Sequence, residues 1–78
     1  MFLEIISPEK KIFSGDAEAV KLPGVDGSFG VLDNHAPIIA ALKKGIVKVT
    51  DSNKNVENFE INGGVVEVLN NKVIVLAQ

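Results

Sequence analysis

The sequence predicts an all-β domain, a sandwich or a barrel, on three observations. Its 78 residues suffice for one small domain with a single core. Hydrophobic residues make up 46% of the chain, yet there are only four phenylalanines and no tryptophan or tyrosine, so the core is aliphatic and the composition favours strands. Short apolar runs alternate with turn residues, and no window keeps the spacing of an amphipathic helix.

The first third of the chain predicts three strands. They cover Phe2 to Ile6, Lys10 to Phe13 and Ala17 to Leu22. Ser7-Pro8-Glu9 and Ser14-Gly15-Asp16 are predicted as the turns between them, because serine, proline, glycine and aspartate are the usual turn residues.

The stretch from Leu22 to Leu42 concentrates residues with special backbone geometry. It holds three of the seven glycines, two of the three prolines and the only histidine. Gly24, Gly27 and Gly30 recur every three residues, which predicts a turn that runs into a short, tightly packed strand. The prolines keep the flanking residues extended, so a helix is not expected here.

The second half of the chain predicts five more strands. They are Ile38 to Leu42, Ile46 to Thr50, Val56 to Ile61, Val65 to Leu69 and Val73 to Ala77. The connections are a turn at Lys43-Lys44-Gly45, a polar hairpin loop at Asp51 to Asn55, a turn or bulge at Asn62-Gly63-Gly64, and a two-residue turn at Asn70-Asn71.

Composition excludes several classes of protein. The formal net charge is −2 and no basic cluster exceeds a pair, which argues against nucleic-acid binding. The absence of cysteine excludes a disulfide framework and thiolate zinc sites, and fits a reducing compartment. No apolar run approaches the roughly 18 residues of a membrane span, and the N-terminus lacks signal-peptide features. We therefore expect a soluble, cytoplasmic chain.

Catalysis is a weak interpretation of this sequence. Ser28, Asp33 and His35 suggest a hydrolase triad, but Asp26 stands where a GxSxG motif has glycine, and the chain is small for a substrate pocket. A lone histidine also makes a poor metal site. We expect no catalytic residue and no metal ligand, with His35 bonded to loop backbone or lying on a partner surface.

The glycines do not form a nucleotide-binding motif. Their spacing is not GxGxxG, and no Gly-Lys-Ser/Thr follows them, so turn geometry explains them better. We expect no nucleotide site and no cofactor.

Two features point to a partner. Several predicted strands are apolar on both faces, which implies a further covering surface, and in so small a protein that surface belongs to another subunit. Glu67 interrupts an otherwise apolar strand, either as an outward residue on a partner-facing sheet or as an edge charge that blocks aggregation.

Seven motifs carry a family resemblance over essentially the whole chain. In order they are Ile6-Ser7-Pro8-Glu9, Phe13-Ser14-Gly15, Leu22-Pro23-Gly24, Gly27-Ser28-Phe29-Gly30-Val31-Leu32, Asn34-His35-Ala36-Pro37, Leu42-Lys43-Lys44-Gly45 and Gly63-Gly64-Val65-Val66-Glu67-Val68. Together they closely resemble the N-terminal domain of the epsilon subunit of F-type ATP synthase.

The resemblance implies a flattened β-sandwich of about ten short, mainly antiparallel strands in two sheets. It implies a non-catalytic central-stalk subunit that docks on the gamma subunit and the c-ring loops, couples proton flow to ATP synthesis, and is not an obligate homo-oligomer. Ser7, His35 and Ala40 correspond to the gamma-facing side. The c-ring-facing turn corresponds to Gly24, Val25, Asp26, Gly27, Ser28 and Phe29.

The chain departs from the family at Gln78, where family members typically continue into two helices. The helical inhibitory region and its nucleotide site are therefore not expected in these residues. For a bacterial source, the resemblance implies a peripheral subunit on the cytoplasmic face of the plasma membrane, without direct membrane insertion. Rival interpretations are a free-standing ligand-binding or adhesion sandwich and a small hydrolase centred on His35.

Overall fold

The computed structural model describes all residues 1–78 and contains seven strands and no helix. The strands are β1 Phe2–Ile6, β2 Lys11–Asp16, β3 Ala19–Gly24, β4 Gly27–Leu32, β5 Ile38–Thr50, β6 Val56–Leu69 and β7 Lys72–Ala77. They form one hydrogen-bonded sheet in the order β2-β1-β7-β6-β5-β3-β4. Only β1 and β7 pair in parallel, so the first and the last strand of the chain lie side by side.

The long strands β5 and β6 run through both layers of the sandwich, which enclose a common core. They stay in one register from Ile38 opposite Val68 to Thr50 opposite Val56. Along each strand the buried alternation shifts by one residue near the middle, after Leu42 in β5 and at the glycine pair in β6. Both halves of each strand therefore turn apolar side chains inward, which gives the two layers of a sandwich.

These long strands correct two predictions. The structure has seven strands in place of about ten, and the two expected sheets are one continuous hydrogen-bonded sheet. Lys43-Lys44-Gly45 was expected to be a turn and Asn62-Gly63-Gly64 a turn or a bulge, but both segments lie inside β5 and β6 and face each other across the ladder. The pairing is interrupted only at Lys44, and the register is the same on both sides of it. Gly63 and Gly64 supply φ values of 127° and 149°, which other residues rarely adopt.

The predicted turn at Ser14-Gly15-Asp16 is also wrong. These residues complete β2, where Gly15 pairs with Leu3. The chain turns afterwards at Ala17, whose N–H donates to the carbonyl of Met1 at 2.8 Å. Because β1 carries fully buried residues, pairing along its whole length satisfies backbone groups that an earlier turn would leave unpaired.

The core is aliphatic, as the composition predicts. Its sixteen buried residues are Met1, Leu3, Ile5, Ala17, Val20, Leu22, Val31, Leu42, Val47, Val49, Ile61, Val66, Val68, Val73, Val75 and Ala77. None of the buried side chains is polar. Phe13 and Phe59 pack at the margin of this core, with ring centroids 5.4 Å apart.

Two hairpin connections are confirmed, and they are held by different chemistry. Asn70 and Asn71 take φ values of 51° and 60°, as a tight two-residue hairpin turn requires. In the other loop, the Asp51 carboxylate accepts backbone N–H bonds from Asn53 at 2.8 Å and Asn55 at 3.0 Å. These bonds, that of Asn55 foremost, hold the pKa of Asp51 below its ordinary value.

Candidate docking surfaces

The outer side of β1, β7, β6 and the first half of β5 is an apolar surface, which we call the β6–β7 face. Its apolar side chains are Phe2, Ile6, Ile39, Ala41, Val65, Leu69, Ile74 and Leu76. Ile39 is the most exposed large apolar residue of the chain at 74%, and Leu76 is 53% exposed. A surface of this kind on a small domain marks a site of interaction.

Glu67 lies in the middle of the β6–β7 face. Its Cα partners are Ile39 on β5 and Ile74 on β7. Because β6 is an interior strand of the sheet, the edge-charge interpretation of Glu67 is wrong. Glu67 is an exposed, outward-facing residue.

Two open clefts flank Glu67. The larger, of about 410 Å³, is lined by Pro37, Ile38, Ile39, Glu67, Val68 and Leu69. The smaller, of about 280 Å³, is lined by Glu67, Leu69, Asn70, Lys72 and Ile74. The carboxylate thus stands between a largely apolar depression and a smaller one that Asn70 and Lys72 also line.

The glycine-rich turn joins β3 to β4, with Val25 and Asp26 at its tip. Gly27 adopts a φ of 127°, and a Cβ on Gly24 would lie 2.5 Å from the carbonyl oxygen of Gly27. The N–H of Val25 donates to Ala41 at 3.0 Å, which ties the turn to β5. The turn and residues 39–41 line a cleft of about 310 Å³.

Gly30 does not share this tight packing. A Cβ at this position would meet only the carbonyl oxygen of Val20, at 3.9 Å. The tight packing predicted for this stretch is therefore present at Gly24 but not at Gly27 or Gly30.

The residues of the imagined triad are not assembled. Asp33 pairs with the N-terminal ammonium group of Met1, and Nδ1 of His35 lies 2.7 Å from the carbonyl oxygen of Ala36. Ser28 lies five residues before Asp33, about 16 Å along extended chain. The prediction that His35 bonds loop backbone is confirmed. No group of three or more metal-ligating side chains occurs, and no helix could span a membrane.

The three residues expected to face gamma lie apart. Ser7 follows β1 at the end where Ile6 pairs with Leu76. His35 precedes β5 at the opposite end of the β6–β7 face, and Ala40 lies within β5 on its inner side, packed partly against the core. They form no cluster of their own, and a partner that covers the β6–β7 face would reach Ser7 and His35 but not the side chain of Ala40.

The outer side of β4, β3, the second half of β5 and the first half of β6 forms a second surface, which we call the β3–β5 face. Lys21 and Lys48 are Cα partners at its centre, and neither forms a salt bridge. Both lysines and Gly30 line a shallow groove of about 220 Å³. Sequence reasoning missed this lysine pair because only the strand register brings the two residues together.

The sequence matches, over residues 1–78, the family described as ATP synthase, Delta/Epsilon chain, beta-sandwich domain. The chain belongs to this family. It is 46% identical over 77 residues to the ATP synthase epsilon chain of Campylobacter curvus, covering 99% of this chain and 60% of that protein. It is 45% identical over 76 residues to the epsilon chain of Chlorobium limicola, covering 97% of this chain and 86% of that one.

Solved structures show the same fold. A chain of the Euglena gracilis mitochondrial ATP synthase, solved as OSCP/F1/c-ring, superposes with a TM-score of 0.91 at 22% identity, over 96% of this chain and 48% of that one. A chain of the Tetrahymena thermophila mitochondrial ATP synthase central stalk and c-ring gives 0.82 at 20% identity, over 99% and 62%. The sandwich class is confirmed, with seven strands in place of about ten.

Proposed function

We propose that this chain is a non-catalytic central-stalk component of F-type ATP synthase that docks on the gamma subunit through the β6–β7 face. The single observation that carries the proposal is the exposed apolar surface on a chain that belongs to the ATP synthase delta/epsilon family. Two comparisons support the proposal: relatives are named ATP synthase epsilon chain, and a chain with the same fold occurs in a structure of a central stalk and c-ring.

The shape of the β6–β7 face suits a large protein partner. It spans four neighbouring strands, and its exposed apolar residues stand on several of them. Burying such a surface on association is favourable by roughly 25 cal/mol per Å² before the costs of ordering. Ser7 and His35 lie at opposite ends of this face, so a gamma subunit that covers it would meet both, whereas Ala40 is turned toward the core.

The β3–β4 turn is proposed as the c-ring contact. Its tip carries Val25, which is 55% exposed, beside the exposed Asp26 and Ser28. Backbone without bulky side chains at Gly27 permits close approach, and the polar side chains offer hydrogen bonds to ring loops. The domain would then couple gamma to the ring as one rigid piece at the cytoplasmic face of a bacterial membrane.

Two isoleucines on the same strand provide the test. Ile39 lies on the β6–β7 face and Ile46 on the β3–β5 face, and both are exposed outward from β5. The purified chain would be titrated calorimetrically into a gamma-containing ATP synthase subcomplex that lacks its epsilon subunit. We expect one-to-one binding, weakened about 100-fold or more by Ile39→Asp because the aspartate places a charge in a buried apolar contact.

Ile46→Asp is the matched control and should change the affinity by no more than about threefold. Circular dichroism melting of both variants checks that the fold is retained. No binding by the wild-type chain, or equal losses for the two variants, would contradict docking through the β6–β7 face.

A further inference from the structure

Glu67 has no charge partner within the chain. The three salt bridges join the N-terminal ammonium group to Asp33, Lys11 to Glu4, and Lys54 to Glu18. The residues directly across the ladder from Glu67 are both isoleucine. Glu67 is therefore flanked across the ladder by apolar side chains, and none of the salt bridges of the chain neutralises it.

The lysines of the β6–β7 face are engaged elsewhere. Lys72 stands diagonally across from Glu67, but its Nζ lies over the Phe2 ring at 5.7 Å from the centroid. Lys11 holds Glu4 at 3.1 Å on the far side of β1. Of the two acids on this face, Glu67 is thus the one without a salt bridge, and Glu4 shows how the same face pairs an acid when the chain supplies the base.

Docking on the β6–β7 face would remove the solvent that Glu67 depends on. Burying an ionised carboxylate without a partner costs several kcal/mol. We infer that Glu67 is a specificity-determining contact that receives an arginine or lysine side chain of the docked subunit, with apolar side chains of that subunit filling the clefts on either side. The inference rests on the proposed function, because it deepens the same interface.

The surroundings of Glu67 favour a basic partner group over a neutral one. An ion pair flanked by Ile39, Ile74 and the apolar side chains of the two clefts is shielded from water. Attraction between charges is stronger in such a place than in bulk water. The carboxylate also penalises partners that present an acidic or purely apolar patch at this point. Apolar area then supplies affinity, and Glu67 selects the partner and its orientation.

The experiment compares Glu67→Gln with Glu4→Gln in the calorimetric titration described above. Both changes remove one carboxylate from the same face with little change in shape. Glu67→Gln should weaken binding roughly thirtyfold or more, because it leaves the partner's cation buried and unpaired. Glu4→Gln should stay within about threefold of wild type, because its partner Lys11 is 56% exposed and returns to solvent.

A charge-reversal variant and the salt dependence of binding provide two further tests. Glu67→Lys should bind more weakly than Glu67→Gln, and changing the contacting arginine or lysine of gamma to glutamate should restore its affinity at least tenfold. Wild-type affinity should fall more steeply with salt than that of Glu67→Gln.

The possible failures are distinguishable. No binding by the wild-type chain would overturn the proposed function and this inference together. Wild-type binding with an unchanged Glu67→Gln affinity would overturn the inference alone. A loss in Glu67→Gln with an unaltered salt dependence and no rescue would point to a neutral hydrogen-bond donor and would also overturn the basic partner.

Discussion

The two outer faces of the sandwich carry opposite charges at their centres. At the centre of the β6–β7 face the acid Glu67 is flanked by two isoleucines. On the β3–β5 face two bases, Lys21 and Lys48, stand directly opposite each other. Both faces share the two long strands, which are joined by β1 and β7 on one face and by β3 and β4 on the other, so the contrast arises from which residues of these strands point outward.

The two faces are therefore suited to different roles. An isolated acid in an apolar field is suited to a contact that excludes water and needs one matching base. Adjacent lysines with no carboxylate partner cost stability where they stand and remain solvated. The β6–β7 face is therefore the candidate for tight docking, and the lysine pair makes the β3–β5 face the poorer one.

The largest expected effect comes from breaking the bend that separates the faces. A Cβ on Gly64 would overlap the carbonyl oxygen of Leu76, and the φ of 149° there is strained for other residues. Gly64→Ala should lower the free energy of unfolding by about 3 kcal/mol or more, measured by urea denaturation. Gly30→Ala, on the β3–β5 face, has free space and should stay within about 1 kcal/mol of wild type. Similar values for the two variants would contradict the packing described at the bend.

A smaller effect is expected in acid, where the Asp51 to Asn55 loop should lose stability and the Asn70-Asn71 turn should not. The folded-state pKa of Asp51 lies below the ordinary value of 3.8, so its contribution to stability is present above that pH and is lost as pH falls through the folded pKa. The measurement is urea denaturation at a series of pH values. At neutral pH the free energy of unfolding of wild type should exceed that of Asp51→Asn, and the difference should shrink as pH falls below 3.8.

The Asn70-Asn71 turn is the control for this pH series. Asn71→Gly keeps the positive φ but loses the bond from the N–H of Asn34 to Oδ1 of Asn71, which is 2.8 Å long. An amide does not titrate, so its deficit should not change with pH. A difference between wild type and Asp51→Asn that does not narrow at all as pH falls below 3.8 would contradict a stabilising contribution from the Asp51 carboxylate.

The smallest effect concerns the lysine pair. Lys21→Glu replaces repulsion with attraction toward Lys48 and should raise the free energy of unfolding by about 0.5 kcal/mol at low salt. The gain should shrink in 1 M salt, where exposed charges are screened. Lys44→Glu, at a position without a Cα partner in the β5–β6 ladder, is the comparison and should show no such gain. A gain at Lys21 that is unchanged by salt would rule out charge repulsion as its cause.

Local patterns predicted those parts of the fold that depend on local chemistry. The bounds of β1, the Asn70-Asn71 turn and the Asp51 to Asn55 loop follow from apolar alternation and turn residues. The continuity of β5 and β6 did not follow, because two glycine-containing segments that resemble turns become bends only when they face each other across a ladder. Pairing of this kind is a tertiary property.

The candidate site was predictable to a similar degree. Glu67 stands out in the sequence because its neighbours are apolar, and Gly24 because the turn is crowded with glycine. That Glu67 lies on an interior strand, or that Lys21 faces Lys48, depends on strand order and register. No single segment carries that information.

The parallel pairing of β1 with β7 has a consequence for biosynthesis. Phe2 faces Lys72, seventy residues later, and the fully buried Leu3 lies beside the equally buried Val73. Such distant contacts make folding slow, on the scale of milliseconds to seconds, because a long loop must close before they form. A nascent chain on the ribosome therefore keeps its first strand without its final neighbour until the last strand has emerged, and the domain completes its core only then.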